Sequence, residues 1–286
     1  MIRVRISRGA IALAGLLVMA GSAAASPLPS CASHIEVAGM EILRVENNGV
    51  LVLRDGRAAD LEGILLPDGA RDHAPPYLAH EAIAAARGIA NHRRATLAVE
   101  PPKEDRYGRL RAQVFFPDDA QPWMQLALLE RGLARVNIAP DRRDCAAALY
   151  AAEGQARAQH LGIWAAPSYA VRAPDAVAND MGTFQIVEGD VVSADIRDGR
   201  AYLNFGQDWR SDFTATISPD DMKLFRDSGI DPRSYAGKHV RVRGWIESMN
   251  GPEIELADPE AVEVLGPATP PAPAELRGTD DKKGPG

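Results

Sequence analysis

The sequence predicts a mainly β protein with helices, an OB-type β-barrel followed by a second, smaller OB-like β-barrel. Three observations predict it. Apolar–polar alternation recurs between Asn-Gly and Asp-Gly turns, the mark of strands joined by hairpins. In the first half, five strands accompany a helix suited to cap them, with further helices outside, which describes an OB barrel. From residue 182 onward, strands, a short helix and two more strands come close to the same order.

The elements follow in turn. Ile35 to Leu53 alternates and is interrupted by Asn47-Asn48-Gly49, a β-hairpin. Arg54-Asp55-Gly56-Arg57 turns the chain into a third strand, Ala59 to Leu66. Tyr77 to Arg93 is helical, with Ile83, Ala86 and Ala90 on one stripe. Thr96 to Val99 and Leu110 to Phe116 are strands flanking the turn Asp105 to Arg109. Trp123 to Arg131 is a helix closed by Gly132. A long helix, Asp141 to His160, carries Leu149, Ala152 and Ala156 on the face expected to meet the sheet.

This first domain runs over residues 26–165, and an aperiodic linker over 166–181 leads to a second domain at 182–266. There, Phe184 to Ile196 and Ala201 to Phe205 alternate around Arg197-Asp198-Gly199. Ser218-Pro219-Asp220-Asp221 caps a short helix, and Lys238 to Ser248 with Glu253 to Leu256 forms a hairpin across Asn250-Gly251. Residues 267–286, rich in Pro, Gly, Lys and Asp, are expected to be a disordered tail.

The N-terminus reads as a signal peptide over residues 1–25. Arg3, Arg5 and Arg8 precede the apolar stretch Ile11 to Ala20, and Ser22-Ala23-Ala24-Ala25 supplies small residues for cleavage. An exported protein, periplasmic or secreted, is the expectation. Removing three arginines takes the formal charge from -7 to -10. A chain of that sign repels polyanions on average, so nucleic-acid binding would need a local basic face. Arg87, Arg93, Arg94, Lys103, Arg106, Arg109 and Arg111 fall in one part of the sequence, where solvated helix and hairpin charges are the plainer explanation. Two cysteines, Cys31 and Cys145, suit a disulfide in an exported chain, pinning the N-terminal arm to the late helix.

Most of the remaining chemistry-bearing residues carry weak signals. The six histidines show no paired metal spacing, and no Ser or Cys sits in a nucleophile elbow. Trp123 and Trp164 belong to apolar helix faces and read as core, leaving Trp209 and Trp245 as candidates for an exposed ligand.

Asp105-Arg106-Tyr107-Gly108-Arg109, then Leu128-Leu129-Glu130-Arg131-Gly132-Leu133-Ala134-Arg135-Val136, then Leu161-Gly162-Ile163-Trp164, resembles the staphylococcal-nuclease (thermonuclease) family over about residues 35–164. The resemblance implies an OB barrel that cleaves phosphodiesters with calcium, two arginines and a glutamate. The family pattern Arg-Leu-x-Gly-Ile-Asp-x-Pro-Glu meets Leu61-Glu62-Gly63-Ile64-Leu65-Leu66-Pro67-Asp68 at Leu, Gly, Ile and Pro. Asp60 then stands in place of the first arginine, Leu65 in place of a calcium-binding aspartate, and Asp68 in place of the catalytic glutamate. Glu46-Asn47-Asn48-Gly49 falls on the family's Asp-Gly-Asp-Thr, so Asn48 replaces the other metal aspartate, while Arg109 matches the second arginine.

Arg109 and Asp68 are therefore the catalytic candidates, and Arg106 and Tyr107 the ligand-binding ones. Calcium takes about 6 to 8 oxygen ligands, led by carboxylates, and Leu65 offers none. The expectation is an exported thermonuclease-like protein with a degenerate nuclease site, no bound cofactor, and a binding or scaffolding role toward nucleic acid or an envelope protein. The alternative is a divergent metal-dependent endonuclease or phosphodiesterase, using calcium or another divalent ion held by Asp60, Glu62 and Asp68.

Overall fold

The computed structural model describes residues 29, 34–208 and 210–268. The expected signal peptide, Cys31, Trp209 and residues 269–286 of the expected tail lie outside the described residues.

The first unit is a closed barrel of five strands. β1 (Ile35–Val45) turns at Asn47-Asn48-Gly49 into β2 (Leu51–Leu53), with the Val50 N–H bonded to Asn48 Oδ1 at 3.2 Å and Gly49 at φ 86°. β3 (Ala58–Leu61) pairs antiparallel with β2 and parallel with β6 (Leu110–Phe115). β5 (Arg93–Ala98) joins β6 to β1 and closes the ring in the order β1-β2-β3-β6-β5. β1 serves two neighbours because register shifts between Ile35, Val37 and Met40, and again between Ile42 and Arg44, bend it around the barrel.

The expected third strand, Ala59 to Leu66, is interrupted. It stops at Leu61, turns at Glu62-Gly63 and resumes as β4 (Ile64–Leu65), which pairs not with the barrel but with β7 (Arg135–Val136). Gly63 at φ 86° makes that turn. The break swings Leu65, Leu66 and Asp68 away from the barrel wall.

α1 (Pro76–Ala90) begins with Pro at its first turn, where the missing N–H costs nothing, and buries Leu78, Ala82, Ile83, Ala86 and Ala90. Small Ala side chains let the helix lie close on β1 and β5. α2 (Met124–Glu130) and α3 (Ala146–Ala158) stack on one another. α3 is shorter than the expected Asp141–His160, and its chief neighbour is α2 rather than the sheet, because Leu149 and Ala152 join the core that α2 already covers. The signature around Gly132 and Leu161-Gly162 has a packing cause: the backbones touch, Ile163 N–H bonding Gly132 O at 2.9 Å, with both glycines at positive φ. A Cβ at either would come within 2.2 Å of the other segment's carbonyl oxygen.

In the second unit the expected closure into a barrel is not seen among the described residues. Those residues form two open sheets over one core. One, in the order β15-β12-β8, comprises β8 (Phe184–Asp190), β12 (Lys238–Trp245) and β15 (Val262–Pro267). The other holds β9 (Ser193–Arg197), β10 (Arg200–Asn204), β11 (Thr214–Ile217), β13 (Glu247–Ser248) and β14 (Pro252–Glu255), in the order β13-β14-β11-β10-β9. The expected strand Lys238 to Ser248 splits at Ile246, eight residues in one sheet and two in the other, so only β13 makes the hairpin with β14. The Asp198-Gly199 turn has both residues at positive φ, as a tight hairpin between right-twisted strands requires. Ser218 accepts the Asp221 N–H at 3.2 Å, yet the helix α4 (Met222–Asp227) starts later than expected.

Residues between the units are packed. Tyr169 and Val177 are buried in short 3₁₀ turns, and Tyr169 joins Leu78, Ala156, Trp164 and Ile186 in a cluster drawn from both units. No described helix is long and apolar enough to cross a membrane.

Candidate functional site

A cleft of about 1190 Å³ opens beside the barrel. Its walls come from the β1–β2 turn, the end of β3, the 62–71 segment, α1, and the loop before β6. All four candidates, Asp68, Arg106, Tyr107 and Arg109, line it, together with Asn48, Asp60 and Leu65. The sequence had separated these residues by as many as 61 positions, Asn48 to Arg109.

The loop before β6 is set by one side chain. Asp105 Oδ1 accepts the N–H groups of Tyr107 at 2.8 Å and Arg109 at 3.0 Å, and Gly108 takes φ 74°. Arg109 is thereby turned inward, its Nε donating to Asp105 Oδ2 at 2.7 Å and its Nη2 lying 2.9 Å from Asp60 Oδ2. Burial alone would raise the Asp105 carboxyl, but the hydrogen bonds from Arg109 and Tyr107 hold it below the usual carboxylate range. Asp60 moves the other way. Burial at the strand end raises it, Asp105 and Glu62 add to the rise, and Arg109 only partly offsets them.

Two positions along, Arg111 donates to Asp141 at 2.7 and 2.8 Å and to Glu62 at 2.8 Å, bonds that keep it firmly protonated. Asp68 points its Oδ1 at the Ala70 and Arg71 N–H groups, 3.1 and 3.0 Å away, and half its side chain remains exposed. It caps its own turn and lies 4.0 Å from Arg71. Tyr107 is 66% exposed at the cleft mouth, with the guanidiniums of Arg106 and Arg109 centred 4.8 and 5.1 Å from its ring.

The residues do not fit calcium. Asp60 and Glu62 are each held by an arginine, Leu65 has no donor, and Leu66 leans on the β1–β2 turn so closely that a Cβ at Gly49 would sit 2.5 Å from its Cδ1. Hydrocarbon thus lies where oxygen ligands would converge. Among the described residues no three His, Cys, Asp or Glu side chains gather as a metal site.

The basic cluster divides on folding. Arg87, Arg106, Arg109 and Arg111 reach the cleft; Arg93 pairs with Asp119 over the Phe116 ring, and Lys103 pairs with Glu36. Arg87 is one of the basic residues expected to be a solvated helix charge, and it lines the cleft instead. Its helical spacing from Ile83 places it one turn along the buried stripe, the signal that would have found it. Trp123 and Trp164 are buried at 4% and 6% exposure, and Trp245 packs edge-on against Phe184 between the units.

A five-stranded closed barrel with a helix over it and an arginine-lined cleft at one side defines an OB-type barrel domain. Residues 61–166 match the family model of the staphylococcal nuclease homologue, a likeness that covers the first unit from the end of β3 onward. No curated protein matches the chain.

Proposed function

We propose that this chain is an exported nuclease homologue whose first domain no longer hydrolyses phosphodiesters by the metal-dependent route and serves instead to bind a ligand or scaffold a partner. The observation that carries this reading is the Asp60–Arg109–Asp105 ion pairing. The arginine matched to the family's second phosphate-binding position is already occupied by two carboxylates, one of them standing where another arginine belongs. Removing one preorganised donor costs about 3 to 4 kcal/mol in a transition state, and here the ion's ligands are missing as well. A relocated divalent ion would need Asp60 and Glu62 unpaired, and each already carries a guanidinium.

Two further readings belong with it. Export follows from the basic, apolar and small-residue order of the first 25 residues. No described cysteine is free, and Cys145, buried at the start of α3, would bridge to Cys31. Nucleic acid or an envelope protein is the partner.

The test incubates protein lacking residues 1–25 with single-stranded DNA and RNA, with and without calcium, beside Arg109→Ala. Retardation without cleavage supports binding. Calcium-dependent cleavage that Arg109→Ala abolishes overturns the proposal, and the absence of any interaction moves the assignment to a protein partner.

A further inference from the structure

The cleft has more arginine than acid, and the surplus has an address. Five arginines line it against four carboxylates, in a chain whose formal charge is -7. Asp60, Asp105, Glu62 and Asp68 are taken up by Arg109, Arg111 and Arg71. Arg106 is exposed on the Tyr107 ring. Arg87 differs from all of them: it is fixed without an acid. Its Nε donates to Val45 O at 3.0 Å and its Nη2 to Asn47 Oδ1 at 2.7 Å, both neutral acceptors, and it forms no ion pair among the described residues. Nη1 has no hydrogen-bond partner there and is not among the buried unpartnered atoms, so it keeps some contact with solvent, and Arg87 is one of the residues lining the cleft.

The position matters as much as the charge. Arg87 projects from α1 onto the β1–β2 turn, the turn in which Asn48 stands at a metal-ligand position of the family pattern. A guanidinium held by two neutral acceptors is a permanent positive charge that needs no carboxylate cage. It can hold an oxyanion through paired N–H donors. It cannot lower the pKa of a bound water as a metal does.

We propose that Arg87 takes the electrostatic place of the divalent ion and makes the cleft a metal-independent site for a phosphate-class oxyanion. This deepens the binding reading above and rests on it. Arg87 anchors the anion from the α1 side, and occupancy leaves the anion uncleaved.

Titration calorimetry of inorganic phosphate against the full chain in EDTA, repeated with calcium, tests this, with Arg87→Gln, Arg87→Lys and, in the second unit, Arg233→Gln alongside. Phosphate should bind in EDTA with no gain from calcium. Arg87→Gln should weaken it about tenfold or more, Arg87→Lys by less, and Arg233→Gln not at all. Binding that appears only with calcium, or no phosphate binding, overturns the proposal. Arg87→Gln binding like wild type also overturns it, while nucleic-acid retardation by the same variant would leave the broader binding role standing. Should Arg87→Gln fail to fold, the Arg87 Nε–H NMR signal, assigned by its loss in Arg87→Lys, decides: it must move on phosphate addition, and a fixed signal refutes the role.

Discussion

At the scale of single residues, the cleft turns on which anion Arg109 holds. Asp60 and Asp105 supply two internal carboxylates, and a ligand must displace at least one of them. The two differ in how readily they yield. Asp105 is locked low by backbone N–H groups, whereas Asp60 is raised by burial and so takes up a proton first as pH falls. Asp60→Asn should therefore tighten phosphate binding by roughly 3- to 10-fold at neutral pH, an effect on the order of 1 kcal/mol. Calorimetry at pH 7.5 checks it, and the gain should shrink toward acidic pH, where wild-type Asp60 is itself neutral. Asp60 was legible as a charge reversal, since it follows from one aligned segment. Its pairing with Arg109 was not, because strand β3 meets β6 only through a parallel, long-range register.

At the scale of elements, the alternation and turn residues carried the first hairpin, α1 and the 105–109 turn to nearly their observed limits. Where the reading failed, a tertiary contact had overridden a local pattern. Gly63 breaks a continuous apolar run because β7 offers β4 a partner outside the barrel. The stretch Asp141–Cys145 lies outside the helix because Arg111 captures Asp141 and Arg142 donates to the carbonyls of Glu100, Pro101 and Pro102. The Gly132–Gly162 contact explains a motif that periodicity cannot. Gly132→Ala adds a methyl group against a carbonyl and strains a positive φ, so urea denaturation should show a loss of roughly 2 to 4 kcal/mol. A loss under 1 kcal/mol would mean that the contact relaxes freely.

At the scale of the whole molecule, the two units meet through buried charge. Arg243 of β12, 4% exposed, pairs with the fully buried Glu153 of α3 at 2.7 Å, and Arg135 bonds Asp72 at 2.7 Å while donating to Phe184 O. Arg143 of the first unit holds Glu260 of the second. Beside that pair, burial and then the Glu260 charge push Asp258 up to about 7, against the pull of the Ala261 N–H and Arg143. A carboxyl raised on folding adds stability that is fully present below its unfolded value and is lost as pH rises through its folded one. The protein should thus lose stability between about pH 4 and about 7 from this group alone. Asp258→Asn, which can still accept the Ala261 N–H, should melt at a higher temperature than wild type at pH 8, by roughly 1 to 2 kcal/mol of stability. At pH 4 the two should coincide, and an equal offset at both values would remove ionisation as the cause. None of this junction was visible in the sequence, where the second unit showed only strand order.

Tyr107 has a practical consequence. Its ring stands in water with two guanidiniums near it, and one of these, Arg109, is also tied to the acids deeper in the cleft. Whatever loosens Arg109 alters the electric field across that phenol. A near-ultraviolet difference between wild type and Tyr107→Phe, which subtracts the four tryptophans and five other tyrosines, should therefore change when a ligand displaces those acids.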